Sequence, residues 1–381
     1  MTSAEALGER IDRMVASSPY SAPPEERSLA LLEMLKDELE YTCERSSALR
    51  NYVRHWPVDV RLAQRIADLP YLPVRLLKAQ PPLSLVEPGE IKRTLMSSAT
   101  TGQLPSRVVL DSATARRMTK GIIVIVSDFI GSSRRPYLVV DVPGSVRGRA
   151  ELGARGAAIQ SLQPFASSAT YCLNQSSHGE LTLDLEKVLE FADNHRESPI
   201  LVYGFTYILW NHLVKPLIAK DIRVDMPRVR ILHSGGWKRL QDESVDKRTF
   251  NEGLARVFGC RTDDVIDFYG LIENVGIIYP DCPAGNKHVP AFGDVIVRNP
   301  LTLEPVEIGE QGLVQVCSVL PTSFPGHLLL TEDMAEVVAD DGCPCGRRGL
   351  CFHFVGRVEK AEIRGCGNIE RQRVSGRLRD L

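Results

Sequence analysis

Four side-chain hydroxyls fall close together at Ser97, Ser98, Thr100 and Thr101, with Gly102 closing the run after the strand-like segment Thr94-Leu95-Met96. Hydroxyls and free backbone N–H groups in such a turn can wrap phosphate oxygens without a fixed positive charge. No Gly-Lys-Ser/Thr follows, so this is not the lysine-containing phosphate loop. An ordinary solvated Ser/Thr/Gly loop has the same composition. A second constellation is Cys282, His288, Cys343 and Cys345, in turns rich in Pro and Gly. Three thiolates and an imidazole suit tetrahedral structural Zn²⁺. Neither pair has the commonest finger spacing, free cysteines are the alternative, and Cys351 is a spare ligand. Cys366 stands between Gly365 and Gly367, with Arg364 and Arg371 nearby to favour thiolate. It is either a nucleophile or an incidental cysteine in a frayed tail. Cys43, Cys172, Cys260 and Cys317 read as small buried thiols. His233 and His327 are candidate proton or carboxylate partners, or structural histidines.

These residues need elements to position them. Residues 1 to about 70 read as helix: Leu29, Leu31, Leu32, Met34, Leu35 and Leu39 recur near helical spacing. Pro23-Pro24 before Glu25-Glu26 suits a helix start. Pro70, Pro73, Pro81, Pro82 and Pro88 mark an irregular connector. Candidate strands follow at Ser106 to Asp111, Gly121 to Val126, Tyr137 to Val142, Ile200 to Tyr203 and Val229 to His233, alternating with helical stretches such as Asp184 to Asn194 and Ser244 to Phe258. This alternation predicts an α/β fold, a mostly parallel sheet with helices on both faces. From Val295 to Val355 short strands and closely spaced turns predict a β-rich subdomain. Gly204, Phe205 and Thr206 follow a strand at the sheet's carboxyl edge, where such folds bind ligands. They line a substrate pocket or are ordinary core. Arg364 to Leu381 reads as a mobile arm.

Composition excludes other classes. The 381 residues include 46 basic and 48 acidic side chains, a formal charge of −2, so no global field favours nucleic acid or anionic membrane. Met1 to Ser18 has no apolar run and is not a secretory signal. Pro199 to Trp210, the longest apolar stretch, falls short of the roughly 20 residues that span a membrane. Nine cysteines at uneven spacing argue against a disulfide scaffold and for a reducing cytoplasm.

Taken in order, five segments resemble the adenylate-forming enzymes. They are the Ser97 to Gly102 loop, Ser234-Gly235-Gly236-Trp237, Asp267-Phe268-Tyr269-Gly270-Leu271-Ile272-Glu273, Leu330-Thr331-Glu332-Asp333, and the segment beginning Gly356-Arg357. The resemblance implies ATP and Mg²⁺ as cofactors. Tyr269 would lie by the adenine, Glu273 would hold Mg²⁺, Asp333 would bind the ribose hydroxyls, and Arg357 would open the hinge. A narrower resemblance covers nearly the whole chain. Leu69-Pro70-Tyr71-Leu72-Pro73-Val74, Ala154-Arg155-Gly156-Ala157-Ala158, Gly204-Phe205-Thr206, Gly235-Gly236-Trp237-Lys238 and Leu320 to His327 look like the acyl-protein synthetase family.

That family implies activation of a fatty acid to acyl-AMP, capture of the acyl group by an own cysteine (here Cys366), and delivery to a reductase subunit or carrier protein. Similar Cys/His sets in phenylacetate–CoA ligase-like relatives hold a structural zinc. Ala99 departs from the glycine usual in the phosphate loop, at a cost if φ there is positive. The small C-terminal lid domain is expected to be absent or vestigial, with no lysine after Gly365 and Lys238 a candidate for phosphate charge. The expected organisation is a helical region and connector at 1–90, the adenylate-forming core at 91–355, and a hinge-like segment with its arm at 356–381. The rival readings are a coenzyme A or carrier-protein ligase without a self-acylated cysteine, and a non-catalytic nucleotide-binding subunit.

Overall fold

In a computed structural model, residues 3–97, 104–146, 151–237 and 244–358 are described. Ser98, Ala99, Thr100, Thr101, Gly102, Lys238 and the arm carrying Cys366 lie outside them. The chain opens with helices α1 (Ser3–Ala16), α2 (Pro24–Arg45) and α3 (Ser47–Arg54). Helix α2 starts at the predicted proline pair and buries Leu31, Leu32, Met34, Leu35 and Leu39. Ser46 caps α3 by accepting the Leu49 N–H over 3.3 Å.

The connector supplies β1 (Leu72–Pro73), followed by β2 (Arg93–Met96), β3 (Arg107–Leu110), α4 (Ser112–Ile130), β4 (Arg135–Val139), β5 (Glu151–Gly153), α5 (Ala154–Ser161) and β6 (Ala166–Tyr171). A small hairpin pairs β7 (Leu173–Gln175) with β8 (Leu181–Leu183). Next come α6 (Leu185–His195), β9 (Ile200–Phe205), α7 (Thr206–Leu209), a π-turn at Trp210–Val214 and α8 (Lys215–Ala219). Then follow β10 (Val229–Ser234), α9 (Lys247–Phe258), β11 (Val265–Tyr269) and β12 (Tyr279–Pro280). The last strands are β13 (Lys287–His288), β14 (Gly293–Arg298), β15 (Gln311–Ser318), β16 (Leu328–Ala339) and β17 (Cys351–Arg357).

One predicted strand is not a strand. Gly121 to Val126 forms the middle of α4, whose buried residues Thr114, Arg117, Gly121, Ile122, Ile125 and Val126 recur at helical spacing. Asp111 starts the helix by accepting the Thr114 N–H over 2.7 Å, and Gly131, at φ 82°, ends it. Burial of a helical stripe here outweighs the strand preference of β-branched residues. Gly121 is required within it, because a Cβ would stand 2.5 Å from the Gly276 carbonyl oxygen.

The central sheet has the order β12-β11-β10-β9-β4-β6, parallel throughout except for β12. Its parallel strands therefore end at one edge, which collects Asp141, Phe205, Ser234 and Tyr269. The predicted β-rich part is a second sheet, β13-β17-β16-β15-β14, antiparallel, with β1 added in parallel to β16. A third sheet, β3-β2-β5, carries Ser97 at the end of β2. Leu7, Ile11 and Leu35 of the helical region share one buried apolar cluster with Val202 of β9 and Val316 of β15. Among the described residues no helix is long and apolar enough to cross a membrane.

Candidate active site and metal centre

The end of β11 meets the middle of β16 and the end of β17. Register places Asp333 opposite Arg357. The Tyr269 hydroxyl donates to Asp333 Oδ2 over 2.8 Å, and Arg357 Nε donates to Oδ1 over 3.1 Å. Asp333 and Tyr269 are buried, and the Tyr269 ring stacks on Phe354 with centroids 4.6 Å apart and an interplanar angle of 20°. Burial, and then the Asp333 charge, push the Tyr269 phenol well above its ordinary range. Glu273, four residues on, is only 8% exposed and has no hydrogen-bond or ion-pair partner among the described residues. Its carboxylate is not sealed from solvent and lies within electrostatic reach of Arg357 and Tyr269, so it is an accessible acid that fits a cation ligand. The neighbouring Glu332 pairs with Arg75 from the connector.

The turn after β10 is shaped by its glycines. Gly235 has φ 90° and Gly236 φ 55°, and a Cβ on Gly235 would come within 2.3 Å of the Phe205 ring. Thr206 Oγ1 donates to the Ser234 carbonyl over 3.1 Å and lies 3.0 Å from His233 Nδ1. One hydroxyl carries one proton, so His233 Nδ1–H is assigned as donor to Thr206. Tyr203 and Ser234 hydroxyls are 3.1 Å apart. Phe205 and Thr206 thus hold the Ser234–Trp237 turn, while the open side of Gly204 is packed by Leu209 and Val140. Trp237 packs edge-on against Trp210 and Phe250. At the neck of the hydroxyl-rich loop, Ser97 Oγ accepts the Ser106 N–H over 2.8 Å, and the Ser97 N–H bonds the Ser106 carbonyl. Ser97 therefore closes the base of the loop.

Beneath this edge lies a charge cluster that sequence reading missed. Lys287, 4% exposed, sits 2.9 Å from Asp267 Oδ2 and 3.1 Å from Asp281 Oδ1. Asp281 also pairs with Lys247 at 2.7 Å, and Asp267 lies 3.6 Å from His233. Burial of His233 outweighs the nearby carboxylates and lowers its pKa, so it is neutral at pH 7. His327 is likewise internal: Nδ1 lies 3.0 Å from Glu38 of α2 and Nε2 lies 2.8 Å from Thr42 Oγ1. It ties α2 to β16 and does not reach the site edge.

Cys282, His288, Cys343 and Cys345 converge, with all four ligand atoms within 4.8 Å of one another. Cys282 Sγ and Cys343 Sγ are 3.8 Å apart, matching the edge of about 3.8 Å expected for a tetrahedron with 2.3 Å zinc–sulfur bonds. Cys345 Sγ is 3.2 Å from His288 Nε2, and Asn286 Nδ2 donates to Cys343 Sγ over 3.3 Å. Burial, then Arg347, pull the His288 pKa down to about 4, which keeps the imidazole a neutral donor. This donor set fits Zn²⁺. Cys351 is buried beside the four. The eight described cysteines are free thiols. Cys172 and Cys317 are buried as expected, whereas Cys43 and Cys260 are half-buried.

A family model described as acyl-protein synthetase, LuxE, matches residues 3–375. The long-chain-fatty-acid–luciferin-component ligase of Aliivibrio fischeri is 26% identical over 193 residues, covering 48% of this chain and 49% of the relative. The ligase of the same description from Vibrio harveyi is 30% identical over 137 residues, 36% of this chain and 35% of the relative. The alignments thus span about half and about a third of these curated relatives. Among solved structures, 2-hydroxyisobutyryl-CoA ligase in an open conformation superposes with a TM-score of 0.66 at 17% identity, covering 89% of this chain and 76% of that one. Its postadenylation form, with an adenylate bound, gives 0.65 at 16% identity, covering 89% and 69%. At such identity these likenesses establish the fold, that of the adenylate-forming ligases. With the family model matching nearly every residue, this chain belongs to the acyl-protein synthetase (LuxE) family.

Proposed function

We propose that the protein activates a carboxylic acid, a fatty acid on the family's pattern, with ATP: a carboxylate oxygen attacks the α-phosphorus, giving acyl-AMP and releasing pyrophosphate. The observation that carries the reading is the buried Tyr269–Asp333 pair beside Glu273, an acid with no hydrogen-bond or ion-pair partner among the described residues. Asp333 would accept the ribose hydroxyls, Tyr269 and the Ser234–Trp237 turn would border the base, and Arg357 would orient Asp333. Positioning of the two reactants then lowers the barrier, since in-line attack depends mainly on geometry. The Ser97 hydroxyl, together with the N–H and hydroxyl groups of Ser98, Thr100, Thr101 and Gly102, would meet charge developing on the phosphates. Mg²⁺ held through Glu273 would reduce the repulsion between phosphate and carboxylate. Gly204, Phe205 and Thr206 would border the acyl group.

In the second half-reaction the Cys366 thiolate would attack the acyl carbonyl, expelling AMP and leaving a thioester for a reductase subunit or carrier. Cys282, His288, Cys343 and Cys345 would hold a structural Zn²⁺. The division at residues 1–90, 91–355 and 356–381 belongs to the same proposal. With labelled fatty acid, ATP and Mg²⁺, peptide mapping should find a hydroxylamine-labile label on Cys366. The Cys366→Ser variant should still form acyl-AMP but lose the transferable label. Label on another residue, or full downstream transfer by that variant, would refute the second half-reaction alone.

A further inference from the structure

Arg155 stands where three parts of the site meet. Strands β2 and β5 run parallel with Met96 paired to Gly153, so the chain leaves both at the same level and in the same direction. Ser97 emerges from one and Ala154-Arg155 from the other. From that position Arg155 reaches the central sheet: Nε and Nη2 both donate to Asp141, the second over 2.6 Å. Asp141 follows β4 at the sheet's carboxyl edge, where the Val140 N–H bonds the Tyr203 carbonyl of β9 over 2.8 Å. The Asp141 side chain is 2% exposed, whereas that of Arg155 is 34% exposed. Tyr203, Tyr207 and His212, around the end of β9, all lie within electrostatic reach of the guanidinium.

Charge supplies the next step. The Ser97 to Gly102 run carries no cation, yet the reading above brings a nucleotide triphosphate to it. A guanidinium is a planar fork with five N–H donors, so it can give one edge to a carboxylate and keep N–H groups for a second oxyanion, which an ammonium does less well. Asp141, buried and bonded, fixes the orientation of that fork. We propose that Arg155, positioned by Asp141, binds a phosphate oxygen of the nucleotide; this rests on the adenylation reading.

The test compares wild type, Arg155→Gln, Arg155→Lys and the double variant Arg155→Gln/Asp141→Asn. Affinity for ATP with Mg²⁺ is measured by calorimetry and for adenosine by ligand-observed NMR. Arg155→Gln should weaken ATP binding at least tenfold and leave adenosine binding within twofold, with Arg155→Lys between. The double variant leaves no buried carboxylate unpaired, so it should stay folded and show the same selective loss even if the single variant unfolds. Unchanged ATP affinity, or equal losses for ATP and adenosine, would mark Arg155–Asp141 as a purely structural tie and overturn the proposal. A rise only in the apparent KM for the carboxylic acid, with ATP affinity intact, would assign the guanidinium to the acyl substrate and overturn it as well. A wild-type protein that binds neither ATP nor adenosine would instead sink the adenylation reading, and Arg155 with it.

Discussion

Replacing Tyr269 with phenylalanine removes one O–H and keeps the ring stacked on Phe354. The lost bond runs to a buried carboxylate, and a hydrogen bond to a charged group contributes about 1.5–3 kcal/mol. Arg357 still reaches Asp333, but its side chain is 66% exposed and such a pair contributes roughly 0–1 kcal/mol. It cannot replace the phenol, so a loss of about 2 kcal/mol is expected at pH 7. The alkaline limb gives a second reading. Burial, then the Asp333 charge, hold the folded Tyr269 phenol well above its ordinary range, whereas in the unfolded chain it ionises near pH ~10. Between those two values the unfolded state binds one proton fewer, so this residue lowers stability with rising pH, by about 1.4 kcal/mol per pH unit. Tyr20, Tyr137, Tyr203 and Tyr279 are raised in the same direction. The variant should therefore lose one proton's share of the alkaline slope and keep the rest. Urea unfolding from pH 7 to 11 measures both effects. A neutral-pH loss under about 0.5 kcal/mol, well below the expected range, or an unchanged alkaline slope would show that the Tyr269 hydroxyl is not committed to Asp333.

Glu273→Gln should abolish acyl-AMP formation while leaving the unfolding midpoint unchanged or slightly raised, because among the described residues Glu273 has no hydrogen bond or ion pair to lose; a thermal melt and an AMP-release assay read the two together. Freshly purified protein should carry about one zinc per chain by elemental analysis. Chelation should lower its melting temperature before it alters nucleotide affinity, since a structural ion contributes to folding. Lys287→Met should cost about 3–5 kcal/mol in denaturant unfolding by leaving Asp267 and Asp281 without their buried partner. The lower end is expected, because Lys247 still reaches Asp281.

Much of the site was legible because its residues lie in short segments that strands place at one edge. Ser234 to Trp237 follows β10, and Tyr269 ends β11. The start of α2 was legible for a local reason, proline and acidic residues in its first turn. Helix α4 was not, because a run of Ile and Val satisfies strand propensity locally, and the helical face appears only once its neighbours are packed. The charge pairs were invisible for a different reason. Lys287 and Asp267 are 20 residues apart, and His327 and Glu38 are 289 apart. Nothing in either segment specifies the other. The same holds for Arg155 and Asp141, whose meeting depends on the parallel pairing of β2 with β5. The four zinc-binding candidates were found because thiols and imidazole stand out by type, although the separation of 61 positions from Cys282 to Cys343 hid their convergence.

The central claim is that this chain activates a carboxylate through an adenylate. Exchange of labelled pyrophosphate into ATP, run over a series of carboxylic acids with Mg²⁺ and without any acyl acceptor, tests it most directly. The account predicts exchange that depends on both the acid and Mg²⁺, is lost in Glu273→Gln, and persists in Cys366→Ser. No acid-dependent exchange from folded protein, or full exchange by Glu273→Gln, would contradict it.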